Sequence, residues 1–202
     1  AGTAIKREQD LLGFAPASPQ AYATTNALSV TGGSGTGDVT YAVVSGPGLI
    51  VGGTGLTITG GNGSVFIRTT KAGDDFFNPQ AVTGTVAAVK ADQIIDFPAI
   101  DDQRTTNRVG LAAAASSGLD VSFSVVSGGA LITDGTNVTF TAMGIVRIAA
   151  IQSGDANYRE MIVTNSFMVR LSPQEPPLSF VPASPQVYGT TNILTTAGGS
   201  GS

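Results

Sequence analysis

The residues with the most obvious chemical potential are carboxylates in Gly-Asp loops. Asp74 and Asp75 follow Ala72-Gly73, and Asp155 follows Ser153-Gly154. Asp oxygens are hard ligands suited to calcium, but a calcium site needs six to eight oxygens. Asp74, Asp75 and Asp155 are therefore weak calcium candidates. The competing reading is a turn in which Asp accepts hydrogen bonds from nearby backbone amides. Asp101-Asp102 opens another loop and reads as solvated surface. The 202 residues contain no His and no Cys. Those absences exclude Ser-His-Asp triads, thiolate nucleophiles, thiolate metal sites and disulfides. No Gly-x-Gly-x-x-Gly and no phosphate loop ending in Gly-Lys is present. The expectation is no catalytic residue, no cofactor and no enzyme activity.

Bulk composition narrows the partners. Only 12% of residues are charged, the net charge is −4, and the 10 basic residues are scattered. Nucleic-acid binding needs clustered Lys and Arg, so no nucleic acid is expected. The longest apolar stretches, such as 109–115, fall far short of the ~20 residues of a membrane helix, so no membrane insertion is expected. No secretory leader is recognisable at the start of the chain.

The elements that must position these loops repeat. The 22 residues from Phe14 to Gly35 align without gaps with those from Phe180 to Gly201, and 15 are identical. A weaker copy begins at Ile95-Asp96-Phe97. Phe14, Phe97 and Phe180 are thus successive structural landmarks 83 residues apart. Val43-Val44-Ser45-Gly46 recurs as Val125-Val126-Ser127-Gly128, and Gly73-Asp74 recurs as Gly154-Asp155. Fixed-period similarity of this kind marks a repeat architecture. The expected organisation is a leading segment 1–8, domain A over 9–91, domain B over 92–174, and a linker with the start of a third, A-type unit over 175–202. The third unit resembles the first more than the second does, which implies an alternating A-B-A-B array in a longer parent.

Within one repeat, apolar residues alternate with polar ones at period two, the mark of half-buried strands. Val39-Tyr41-Val43, Leu56-Ile58, Val65-Ile67 and 82–89 form one series. Leu119 to Val125, Val138-Phe140, Val146-Ile148 and 162–169 form the other. Ala112 to Ala115 has helical composition but stands where the first repeat has Ala27 to Val30, so it reads as strand. Gly, Asn, Asp and Pro separate the runs where turns need them. About seven short strands per repeat predict an all-β fold of tandem sandwiches. Phe77 and Tyr158 occupy equivalent places before the last strand and read as structural aromatic plugs. Tyr22 and Tyr188 fall in an equivalent loop and read the same way. The sequons at Asn62 and Asn137 carry no assigned function.

The run Thr31 to Tyr41, followed by Val44-Ser45-Gly46-Pro47-Gly48, resembles tandem bacterial Ig-like repeats. So do Ala114 to Leu119 and Gly154-Asp155-Ala156-Asn157-Tyr158. The resemblance covers essentially everything after residue 8. It implies immunoglobulin-like β-sandwich domains from large secreted or surface proteins, including adhesins. It implies an extracellular or cell-surface location and a stalk or fibre role, with neighbouring copies of the same repeat as partners. It supplies no catalytic residues. Some surface Ig-like domains carry Lys-Asn crosslinks, but Lys71 has Gln152 as its counterpart, which argues against one here. Two other roles stay open at this level: a self-assembling homopolymeric filament using strand complementation, and a glycan- or protein-binding adhesin domain.

Overall fold

The computed structural model describes residues 5–172, 179–180 and 185–197. Among them there is no helix, hence none long and apolar enough to cross a membrane. Nine strands precede residue 90: β1 (Leu12–Gly13), β2 (Gln20–Ala21), β3 (Thr25–Ala27), β4 (Thr31–Gly32), β5 (Val39–Ser45), β6 (Gly48–Val51), β7 (Gly55–Ile58), β8 (Asn62–Lys71) and β9 (Gln80–Val89). Nine more follow: β10 (Ile95–Asp96), β11 (Gln103–Arg104), β12 (Arg108–Gly110), β13 (Ala114–Ala115), β14 (Ser122–Ser127), β15 (Ala130–Thr133), β16 (Asn137–Phe140), β17 (Gly144–Gln152) and β18 (Met161–Arg170). A last pair, β19 (Ser179–Phe180) and β20 (Thr196–Ala197), is antiparallel. The chain divides into two compact units. The first is Ala1–Pro98 with Ala113–Ser122 and Ala150–Val163; the second is Ala99–Ala112 with Phe123–Ala149 and Thr164–Ser202.

The first series of strands makes a four-stranded sheet, β2-β9-β8-β5, and a three-stranded sheet, β3-β7-β6. Count the seven strands of these two sheets in chain order. One sheet then holds the second, fifth and fourth, and the other the third, sixth and seventh. That is the immunoglobulin-like β-sandwich order. The first strand, β2, lies parallel on the seventh, β9, with Gln20 opposite Ala88. The second series repeats the arrangement as β11-β18-β17-β14 and β12-β16-β15, again with a parallel first strand, Gln103 opposite Val169. Strands β1 and β10 each pair separately, with β4 and β13.

The pleat explains the burial. Along β8, Val65, Ile67 and Thr69 are buried while Phe66 and Arg68 are exposed. Along β9, Val86 and Ala88 point to the same interior. They meet Leu56 and Ile58 of β7 and Leu28 to form one core between the two sheets. Half-buried Phe14, Tyr41, Val43 and Ile50 pack against its edges.

The recurring Val-Val-Ser-Gly is explained by a bulge. The β5–β8 register shifts between Val43 and Ser45, which leaves Val44 unpaired and outward-facing. Gly46 then takes φ +95°, in the left-handed region that favours glycine, with its backbone against Ser64. Gly128 takes φ +97° after outward-facing Val126.

Two strand expectations need correction. Residues 119–121 alternate like a strand, but β14 begins only at Ser122: they follow the turn that Gly118 N–H closes on Ala115 O, and Leu119 N–H donates back to Ser117 Oγ. In the alanine run only Ala114–Ala115 is strand. Residues 111–113 carry the chain from β12 in one sheet to β13 in another, so a continuous strand there is impossible. Conversely, β6 and β15 form hairpin arms with β7 and β16 that alternation did not reveal. In the first hairpin Gly52 and Gly53, both at positive φ, make the turn.

Candidate functional site

The Gly-Asp loops sit before the last long strand of each repeat, and the structure shows how their sequence builds them. Asp74 Oδ1 accepts hydrogen bonds from the amides of Phe76 and Phe77, each at 2.9 Å. Its Oδ2 accepts from Thr36 N–H at 2.8 Å. Asp155 Oδ1 accepts from the amides of Asn157 and Tyr158, each at 2.7 Å. Asp74 N–H and Asp155 N–H close each loop on the carbonyls of Phe77 and Tyr158. Glycine precedes each Asp because a Cβ there would meet the same carbonyls, at 2.7 Å for Gly73 and 2.6 Å for Gly154. Asp75 is exposed beside them. Among the described residues, no three His, Cys, Asp or Glu side chains gather as metal ligands would.

Backbone amides, above all those of Thr36 and Phe76, hold the Asp74 carboxyl below its ordinary value of 3.8. A lowered folded-state value means the charged form stabilises the fold. That contribution is fully present well above the ordinary carboxyl range and is lost as pH falls through the lowered value. Asp102 behaves alike, through the Met168 amide and then Arg170. Urea midpoints taken from pH 7 to pH 3 should therefore fall less steeply in Asp74→Asn than in the native chain. An unchanged acid slope would remove the carboxylate from this role.

The incoming chain docks on each loop by the same two bonds. Arg7 N–H donates to Phe76 O at 2.8 Å, and Asn78 N–H donates to Arg7 O at 2.8 Å. Ala91 N–H donates to Asn157 O at 2.8 Å, and Arg159 N–H donates to Ala91 O at 3.0 Å. Both are parallel bridges, Arg7 with Phe77 and Ala91 with Tyr158. Two residues further on, a buried glutamine fastens each segment. Gln9 Nε2 donates to the carbonyls of Ala72 and Asn78. Gln93 Nε2 donates to Gln152 Oε1 and Arg159 O, and its Oε1 accepts from Ser117 Oγ.

Neither alternation nor a turn motif singles out these glutamines. Their signal was available: Gln9 and Gln93 stand five and four residues before Phe14 and Phe97. Removing a buried partner leaves polar groups unsatisfied. Gln93→Ala should lower stability by about 1–3 kcal/mol in urea unfolding. A loss below about 0.5 kcal/mol would mean water replaces the amide.

A third element meets the loop at Asn157 and Tyr158, and all the residues involved belong to the first compact unit. The Tyr22 ring, in the turn after β2, lies edge-on to Tyr158 with centroids 5.4 Å apart. Gly61 N–H donates to Asn157 Oδ1 at 3.0 Å. A Cβ on Gly61 would stand 2.6 Å from Ala156 O, so this approach requires glycine. Sequence placed Tyr22 and Tyr158 in separate loops; the structure brings them together.

The remaining landmarks lie elsewhere. Phe14 covers Gly84 of β9 and stands 5.8 Å from Tyr41. Phe97 is buried. Phe180 pairs with Thr196 in β19, and its side chain lies outside the described residues, as do 198–202 of the third unit. Phe77 is half-buried and Tyr188 exposed. Lys71 Nζ donates to Gly37 O at 2.9 Å.

No family model matches the chain, and no curated protein matches it. It is similar to solved structures of low identity. A SusE-like surface located polysaccharide binding protein from the Bacteroides thetaiotaomicron heparin utilisation locus is 14% identical with TM-score 0.35, covering 85% of this chain and 36% of that one. Sidekick-1 immunoglobulin domains 1–4 are 11% identical with TM-score 0.34, covering 81% and 49%. The I67–I69 fragment of titin is 10% identical with TM-score 0.31, covering 94% and 87%. The chain thus spans about a third to a half of the first two. At these scores the fold rests on the strand order, which is that of tandem Ig-like β-sandwich repeats.

Proposed function

We propose that the chain is a structural repeat module of an extracellular bacterial surface protein, acting as part of a stalk or fibre. The observation that carries this reading is the repeated docking of the incoming chain. Strand β9 ends at Val89, and two residues later Ala91 is already bridged to Tyr158. In this short connection both backbone groups of Ala91 are bonded to the loop at Tyr158. The role is mechanical rather than catalytic, and the partners are neighbouring copies of the same repeat. Repeats that contact only their neighbours let length grow with copy number. Low charge supports the reading, since neighbouring repeats then repel one another weakly.

The test is immunogold electron microscopy of native cells with antibody raised against this chain. Label along extracellular stalks or fibres is the expected result. Label confined to the cell interior would overturn the proposal.

A further inference from the structure

The entrance of the first repeat presents the same loop as the entrance at Tyr158, with an open apolar surface. Phe76 stands where the other loop has Asn157, and its side chain is 72% exposed. Phe77 stands where the other has Tyr158. With Ile5, Arg7 and Asp75 these two rings line a cleft of about 460 Å³. Ile5 is also exposed. At the equivalent loop the corresponding positions are covered by the end of a repeat, namely Tyr22 and the turn at Gly61. Two exposed aromatic or aliphatic side chains beside a bridged strand suit an apolar end face better than solvent.

The end that would suit Phe76 differs from the one that suits Asn157. The turn into β8 and its first residues read Gly60-Gly61-Asn62-Gly63, and Gly61 offers an amide to Asn157 Oδ1. The corresponding turn into β17 and its first residue read Ala142-Met143-Gly144. Its Gly144, at φ +124°, matches Gly63 at φ +112°. There the outward group is Met143, 63% exposed, beside exposed Ile145. A thioether packs well against aromatic rings and adapts to irregular gaps. The polar loop thus meets a polar turn, and the apolar loop has an apolar turn as its counterpart.

We propose that the Phe76–Phe77 cleft is a docking site for the Met143 end of the second repeat of another copy of this chain. This deepens, and rests on, the reading of the chain as a run of end-to-end repeats. The site selects for alternation: a Met143 turn on Phe76, a Gly61 turn on Asn157. Association between free copies is weak, because a covalently linked neighbour is held at an effective concentration in the millimolar range.

The test uses the full chain as it stands. Amide spectra of ¹⁵N-labelled protein are recorded while unlabelled protein is added to about 1 mM, the effective concentration of a short tether. The expected result is saturable shifts centred on Arg7, Phe76 and Phe77. Unlabelled Met143→Ser should weaken them about tenfold, and labelled Phe76→Ser equally, as for central contact residues. Both side chains are exposed, so both variants keep the fold; an unchanged spectrum away from the substituted residue verifies it. No shifts at this concentration, shifts centred on other residues, or insensitivity to both substitutions would overturn the proposal. Failure here with native label still on extracellular fibres removes this site and leaves the stalk reading. Shifts as expected with label inside the cell remove the stalk reading and leave the contact.

Discussion

Ile67→Ala lowers the stability of the first repeat by about 2–5 kcal/mol, the range for emptying a buried aliphatic site. Ile67 is fully buried on β8, the inner strand with β9 and β5 on either side. Its side chain faces Leu56 and Ile58 of the opposite sheet, and neighbouring Val65 and Val86 are equally buried. Both sheets are fixed by their own ladders, so the space cannot collapse freely. Ile148 on β17 is the counterpart, also fully buried, and Ile148→Ala should cost as much. Urea titration followed through the amide signals of Val65 and Val146 separates the two variants. A loss below about 1 kcal/mol at either site would mean that the sheets do not close on these residues.

Gly46→Ala is the second large effect, for a different reason. A Cβ at Gly46 would stand 2.0 Å from the Ser64 carbonyl oxygen, a backbone atom that cannot rotate away. The residue also sits at φ +95°, outside the comfortable range of an L side chain. Strain and overpacking together should cost about 2–4 kcal/mol. At Gly128 the Ile145 carbonyl would be 2.4 Å away, and Gly128→Ala should behave alike. By contrast Gly52, though at positive φ, has nothing within 4 Å, so Gly52→Ala suffers only the backbone term, about 1 kcal/mol. Thermal or urea unfolding of the three variants checks the order. Equal losses at positions 46 and 52 would remove the steric explanation.

Much of this architecture was legible because its causes are local. Alternation along β8 and β9 is a direct print of the pleat, and glycine at 46 and 128 is a direct print of positive φ. The Val-Val-Ser-Gly motif could be seen to recur, but not why. Two adjacent valines mean a bulge only once β5 is paired with β8 and one valine is left without a partner. Residues 119–121 show the reverse error, where polar-apolar alternation extends back toward the preceding turn although the strand itself begins only at Ser122.

The docking loop was half legible. Asp74 and Asp155 could be read as turn formers from their glycines, and their oxygens do accept amides of their own turns. Gln9 and Gln93 are not legible in sequence because a glutamine seldom announces burial; the role of each depends on acceptors more than 55 residues away in sequence. The repeat period, the missing histidine and cysteine and the long alternating strands such as β8 and β9 were decided by the chain alone, because composition, spacing and pleat are properties of neighbours in sequence. Which loops meet was decided only by the tertiary structure. The contact of Tyr22 with Tyr158, and the approach of Gly61 to Asn157, depend on where the sheets end in space, and no local pattern records that.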